Sequence, residues 1–216
     1  MGILSDGFSK MVIEIGMNEL KHPIFYNSPV GIRFEIGGTE SVYLNGKSSE
    51  NFIANPAYIS AAFDRAKAIY TNLPHKPNIL RIDGYPVESS VHKVTQSICE
   101  AGNMPQPHEQ VVRRFKWDED DDTLSQLQLY WDLERIWFTP DQLLQEVIKA
   151  DIGGYNGFVS NVYFADTHNC ILFHLYDDRG ADLVAADKKI IRPIYEKFNR
   201  WILDYDREKI NSIFIK

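Results

Sequence analysis

Residues 158–205 read FVSNVYFADTHNCILFHLYDDRGADLVAADKKIIRPIYEKFNRWILDY, and the run C-I-L-F-H-L-Y at 170–176 decides how the rest is understood. It is apolar at nearly every position and has no alternation that would give it a wet face. A strand of that kind is buried on both sides and sits inside a sheet. The residues around it read as a strand paired with it through a tight turn, a polar turn, a short third strand, and a helix rich in aromatics. The remainder of the chain must cover both faces.

Outward from that centre, residues 1–7 read as frayed, and Met11, Val12, Ile15 and Leu20 give 8–20 a helical stripe that ends at His22-Pro23. Ile32, Phe34 and Ile36 alternate with Arg33 and Glu35 as in a half-buried strand. Residues 39–54 read as a long loop in which 42–44 add at most a short strand. Asn55-Pro56 opens a helix to 73, with Asn as cap and Pro at the first helical position. A strand at 79–82 and a helix over 87–101, stopped by Gly102, complete a β-α-β-α half.

Val111, Arg113, Phe115 and Trp117 then alternate with polar residues, as do Leu127, Leu129, Trp131 and Leu133, which predicts a hairpin with one wet face. A helix over 140–150 is closed by Gly153-Gly154 and Asn156-Gly157. The last long helix, 188–203, contains Pro193, which is expected to kink it or restart it. The order predicts a single α+β domain over 1–216, with a mixed, mostly antiparallel sheet flanked by helices.

Thirty acidic and 23 basic side chains leave a formal charge of −7, which repels nucleic-acid phosphates and anionic membranes unless a basic patch intervenes. Arg113 and Arg114 are adjacent on a strand and should point to opposite faces, so no such patch is expected. Cys99 and Cys170 are in no metal or redox spacing, MGILSDGF has neither the basic nor the apolar part of a signal peptide, and Asp6 breaks a myristoylation motif at Gly2. No apolar run approaches the roughly 18 residues that cross a bilayer. The expectation is a cytoplasmic protein.

The densest chemistry is Asp177-Asp178-Arg179-Gly180-Ala181-Asp182, with His174 on the strand before it. Asp177, Asp178 and Asp182 are candidate ligands for a divalent cation; His174, Asp178, Arg179 and Asp206 are candidate catalytic groups. The plainer reading is stronger: Asp side chains accept from their own turn's backbone, and Gly180 supplies a positive φ. His174 shares a face with Cys170, Leu172 and Tyr176, the setting of a hydrogen-bonded core histidine. Asp204 or Asp206 is placed to cap a terminal helix, yet a C-terminus folded back on the sheet would bring these acids to Asp177–Asp182.

Elsewhere the chemistry is thin. His168 and Cys170 are too few for zinc. Asp118, Asp120 and Asp122 open like a calcium loop, but Thr123 stands where Gly is required and Leu129 where Glu is required. The G-x-S-x-G, Walker, G-x-G-x-x-G and H-E-x-x-H motifs are absent.

Asn161-Val162-Tyr163-Phe164, the run from Ile171 through Gly180 with Asp182, Arg192-Pro193-Ile194-Tyr195-Glu196-Lys197, and Trp201-Ile202-Leu203-Asp204-Tyr205-Asp206-Arg207 together resemble a bacterial family, the domain of unknown function 3885. The likeness is strongest over 158–207 and extends more weakly to Phe25-Tyr26-Asn27, Gly31-Ile32-Arg33-Phe34-Glu35 and the helix from Pro56. The resemblance implies a bacterial, cytoplasmic protein and brings no activity or ligand with it.

Two functions follow as expectations. The first is a non-catalytic, immunity- or regulator-like module that binds a protein, a basic one by charge, through aromatic anchors among Tyr43, Tyr85, Tyr130 and Trp137, with no cofactor. The alternative is a metal-dependent hydrolase or nuclease in which Asp177, Asp178 and Asp182 hold a divalent cation and His174 or Asp206 activates water.

Overall fold

The computed structural model describes residues 2–45, 52–86, 90–116, 123–153, 155, 158 and 160–215. Among these, seven strands form one sheet: β1 (Gly31–Glu35), β2 (Ile79–Gly84), β3 (Glu109–Lys116), β4 (Thr123–Asp132), β5 (Asn161–Asp166), β6 (Ile171–Leu175) and β7 (Gly180–Ala185), in the spatial order β1-β7-β6-β5-β2-β4-β3. β6 lies between β5 and β7, and every one of its residues is buried, as its unbroken apolar run requires. Every pairing is antiparallel, so the sheet is not mixed. The reason is topological: the helix between β1 and β2 delivers them to separate places, β1 to an edge beside β7 and β2 between β4 and β5.

Alternation along each strand builds two cores. Ile171, Phe173 and Leu175 join Leu80, Ile82, Leu127, Leu129, Val162 and Phe164 in the larger one. Residues from α3 (Pro56–Thr71), α4 (Val91–Gly102), α5 (Asp141–Lys149), α6 (Lys188–Lys197) and α7 (Arg207–Phe214) pack into the same core. On the opposite face, Leu172, Val184, Ile79 and Ala165 meet Phe8, Met11, Val12 and Ile15 of α1 (Ile3–Glu14) and Ile24 of α2 (Ile24–Asn27). One principal helix covers this second face, and polar groups occupy what it leaves.

Several boundaries differ from the sequence reading for local reasons. α1 begins at Ile3 because the Glu109 carboxylate on β3 accepts from the Leu4 and Ser5 amides at 2.9 and 3.3 Å, a cap from a distant strand. It ends at Glu14, and Gly16 at φ +95° turns the chain away. Asn55 caps α3 as expected, its side chain accepting from the Ala57 amide at 3.0 Å. α4 takes Ser90 as cap; Gly102 lies within it, and Asn103, at φ 49°, makes the left-handed exit.

α6 runs unbroken through Pro193 but stops at Lys197, so 188–203 is not one helix; short 3₁₀ turns follow at Asn199–Trp201 and Asp204–Asp206. Between them Ile202 bridges to Phe34, and the Leu203 amide donates to the Arg33 carbonyl at 3.0 Å, covering the outer edge of β1. Trp117, the acidic run 118–122, the helix start at Val87, Gly154 and Asn156-Gly157 lie outside the described residues.

Candidate functional site

The Asp-rich turn directs its carboxylates to three separate partners. Asp177 Oδ1 accepts from the Arg179 and Gly180 amides at 2.8 and 3.2 Å, while its Oδ2 accepts from the Arg179 guanidinium. This is the Asx-type turn the sequence suggests. Gly180, however, has no positive φ. It is required for space, since a Cβ there would lie 2.0 Å from the Tyr176 hydroxyl oxygen. Asp178 Oδ2 accepts from the Tyr58 hydroxyl of α3 at 2.6 Å, and burial raises the Asp178 pKa above the usual carboxylate range. Arg179 is largely exposed and also reaches Asp151 at 3.3 Å.

Asp182 is fully buried and points elsewhere, into the face covered by α1 and α2. Arg33 Nε donates to Asp182 Oδ1 at 2.9 Å and Arg33 Nη2 to Oδ2 at 3.4 Å, and the Phe25 amide also donates to Oδ2, at 3.2 Å. Arg33 Nη1 stands 3.7 Å from Asp206 Oδ2, and Asp206 Oδ1 accepts from the Tyr26 hydroxyl at 2.7 Å. The C-terminus therefore does fold back so that Asp206 approaches Asp182, but a guanidinium lies between them where a cation ligand set would need a metal. Asp206 makes no side-chain cap to α7, which corrects that expectation; its carboxylate is turned inward to Tyr26 and Arg33. Asp204 is bonded to Arg207, whose guanidinium also donates to the Asn199 and Ile202 carbonyls. Among the described residues no group of three or more His, Cys, Asp or Glu side chains is arranged to hold a metal ion.

His174 is 2% exposed, but it is not the hydrogen-bonded core histidine the sequence suggests, because neither ring nitrogen has a partner. It stacks on Tyr163 with ring centroids 4.6 Å apart and lies 4.8 Å from the His22 ring. Burial, reinforced by the charges of His22 and Arg33, holds its pKa well below the ordinary imidazole value. A neutral, unpartnered imidazole stacked between rings is a packing group here.

These residues belong to a larger pattern. Arg33, Asp182, His174, Tyr163, Arg81, Tyr130 and Glu109 are successive cross-strand partners, one from each strand, forming a single rung across the whole sheet. The rung lies on the face of α1 and α2, and it has a charged pair near each end. Beyond Tyr163 the second pair is Arg81 with Asp83, Nε to Oδ1 at 2.7 Å and Nη2 to Oδ2 at 2.8 Å, both side chains almost fully buried. The guanidinium carbon lies 5.0 Å from the Phe8 ring centroid, 5.7 Å from that of Tyr130 and 5.6 Å from that of Tyr163. Gln126 donates to Asp83 at 3.0 Å, Gln128 to Gln126 at 2.8 Å, and the Tyr130 hydroxyl to Gln128 at 3.0 Å.

This second pair floors a cleft of about 680 Å³ between α1, residues 18–22 and the sheet. Tyr163 and His22 are hydrogen-bonded at one side of it, and burial of the imidazole lowers the His22 pKa. Arg113 and Arg114 both line it, although as neighbours on a regular strand their side chains leave β3 towards opposite faces. Of the four aromatic anchors, Trp137 is 90% exposed, Tyr85 is partly exposed, and Tyr43 packs on Phe52 with centroids 4.7 Å apart. Tyr130 is withdrawn altogether: it is fully buried beneath Phe8.

Sequence reasoning missed Arg33, Tyr58, Arg81, Asp83, Gln126 and Gln128. A signal existed for some of them. In I-L-R-I-D-G and L-S-Q-L-Q-L-Y-W the polar residues alternate with apolar ones, the pattern of a wet face, and here that face is closed by a helix remote in sequence.

No solved structure matches the chain. It is similar to the uncharacterized protein YnaE of Bacillus subtilis (strain 168), 42% identical over 57 residues, which is 26% of this chain and 27% of that protein. The match thus spans about a quarter of the relative's length. The family model for the domain of unknown function (DUF3885) covers residues 11–206, so it takes in every strand of the sheet and both charged pairs, and the chain belongs to that family.

Proposed function

We propose that this chain is a non-catalytic binding module of the cytoplasm that recognises a basic protein partner, in the manner of an immunity or regulatory protein. One observation carries the reading. In the Asp204-Tyr205-Asp206-Arg207 segment, Asp206 and Arg207 are turned inward as fasteners, while Tyr205 is 86% exposed beside the outward carboxylate of Asp204. An aromatic ring held on a fixed backbone next to an acid loses little entropy on docking, and tyrosine is a frequent interface anchor. Tyr26, 43% exposed and bonded to Asp206, extends the same patch, to which exposed Glu208 and Lys209 add one charge of each sign, the Lys209 ammonium 4.8 Å from the Tyr26 ring centroid. The overall −7 charge favours encounter with a basic partner. The hydrolase alternative gains no such support, because Asp177, Asp178 and Asp182 are each engaged by a different protein group.

The test is co-purification of the intact chain from a bacterial host at low and moderate salt, beside Tyr205→Ala and Asp204→Lys. A basic protein should be retained by the parent chain, released as ionic strength rises, and lost from both variants. Recovery of the chain alone at every salt concentration, or a partner indifferent to both substitutions, would overturn the reading. Among the described residues no helix is long and apolar enough to cross a membrane.

A further inference from the structure

We propose that the cleft between α1 and the sheet is a binding site for a small organic anion, one with a carboxylate or phosphate at one end and an apolar or planar body. The cleft is independent of the Tyr205 patch, so this proposal does not depend on a protein partner. Its volume, about 680 Å³, is within the range of small-molecule sites. Its two sides differ in chemistry. The side formed by α1 and the segment after it has Phe8 and Val12 buried behind it and Ile13 and Leu20 at its surface, and Ile13 is 63% exposed although it belongs to a helix with a well-buried opposite face. An exposed isoleucine on a cleft wall is a surface that gains from being covered.

The other side is polar and rigid. Arg81 is clamped by both Asp83 oxygens through Nε and Nη2, and its plane is packed among three rings, so its orientation is fixed. Its Nη1 makes no hydrogen bond among the described residues, and the residue, 5% exposed, lines the cleft. Arg113 and Arg114 form no ion pair among the described residues, and both line the same cleft. Three arginines, one of them already paired with Asp83, and two acidic residues, Asp83 and Glu19, line this cleft of an acidic protein. Arginine donors are suited to carboxylate and phosphate oxygens, while the apolar wall accepts the body that carries them.

The test is isothermal titration of the purified full chain with adenosine monophosphate, phenyl phosphate and 3-phenylpropionate, with inorganic phosphate, adenosine and benzyl alcohol as controls. At least one organic anion should bind saturably, roughly tenfold or more tighter than both the bare anion and its neutral counterpart. Whether phosphate or carboxylate is preferred is read from phenyl phosphate against 3-phenylpropionate. Arg113→Ala with Arg114→Ala should weaken binding by roughly tenfold or more, Ile13→Glu should abolish it, and Arg200→Ala, on exposed surface elsewhere, should leave it unchanged. Because residues 13, 113 and 114 are exposed, these variants should keep the parent's melting temperature. No saturable binding of any organic anion, binding no tighter than inorganic phosphate, or affinity unaltered by the paired arginine and Ile13 substitutions would overturn the proposal.

Discussion

The two ends of the rung use the same chemical device and put it to different ends. At one, Arg33 clasps Asp182 with Asp206 beyond it; at the other, Arg81 clasps Asp83. Each guanidinium is bidentate to a buried carboxylate and lies among aromatic rings, Phe25, Tyr26 and Tyr176 in the first case and Phe8, Tyr130 and Tyr163 in the second. The Arg33 pair joins residues 149 apart in sequence and recruits the C-terminal segment as its outer wall, so it closes the fold. The Arg81 pair joins residues two apart on one strand and fastens no second element by itself. A pair that is not needed as a clasp, and that faces a cleft, is available to a ligand.

Removing the two arginines separately is the strongest way to break this comparison. Arg33→Ala leaves Asp182 and Asp206 facing one another without their shared cation in a closed site, and should cost about 3–5 kcal/mol of unfolding free energy. Burial already raises the Asp182 pKa despite Arg33, a sign of how little water reaches it. Arg81 is the more buried of the two arginines, but its removal opens the space it fills to the adjoining cleft, so that water can reach Asp83, which keeps the Gln126 amide; the loss should be smaller, about 1–3 kcal/mol. Urea unfolding of both variants checks the order. Equal losses would mean that the closed and open ends are not energetically distinct.

A smaller effect is expected where the DDRG turn meets the closed end. Gly180 pairs with Glu35 on β1, and a methyl group there would be driven into Tyr176, whose ring in turn stands 5.7 Å from the Arg33 guanidinium carbon. Gly180→Ala should destabilise by about 1–3 kcal/mol through that overpacking. In a Tyr176→Ala background the same glycine substitution should cost little, since the steric partner is gone. A double variant no better than the sum of its parts would show that the backbone, and not Tyr176, imposes glycine.

How much of this was legible depended on the range of the interaction. The burial of β6, the Asn55 cap, the β3–β4 hairpin and the Asp177 turn are local, and period or spacing revealed them. The Glu109 cap of α1, the Arg33 clasp and the Tyr58 bond to Asp178 connect segments more than 100 residues apart and have no local signature. The same distinction explains Tyr130: alternation assigned it to the wetter face of its hairpin, and only the packing of Phe8 from α1 made that face dry. A polar residue on an alternating strand therefore indicates a face, not its exposure.

The smallest expected effect concerns the middle of the rung, where His174 separates the two charged pairs. Its ring faces His22, Tyr163 and Tyr176, Asp182 is its cross-strand partner, and the Arg33 charge also acts on it. Its folded pKa lies well below 6.5, so below that pH the unfolded chain takes up a proton that the folded one does not. Stability therefore rises with pH through this window and is lost on acidification. Between pH 7.5 and 5.5 this residue alone should remove about 1.4 kcal/mol, the cost of protonating the unfolded imidazole one unit below its ordinary value. His174→Leu, with no unpartnered nitrogen to bury, should be at least as stable as the parent at pH 7.5 and should lose correspondingly less on going to pH 5.5. Asp178 and Asp182, with raised values, contribute with the opposite sign, but they are present in both proteins and cancel in the difference, as does His22. If the two proteins lost stability in parallel, His174 would be exchanging its proton in the folded state, and the middle of the rung would be a third polar site and not the neutral spacer that keeps the closed and open ends apart.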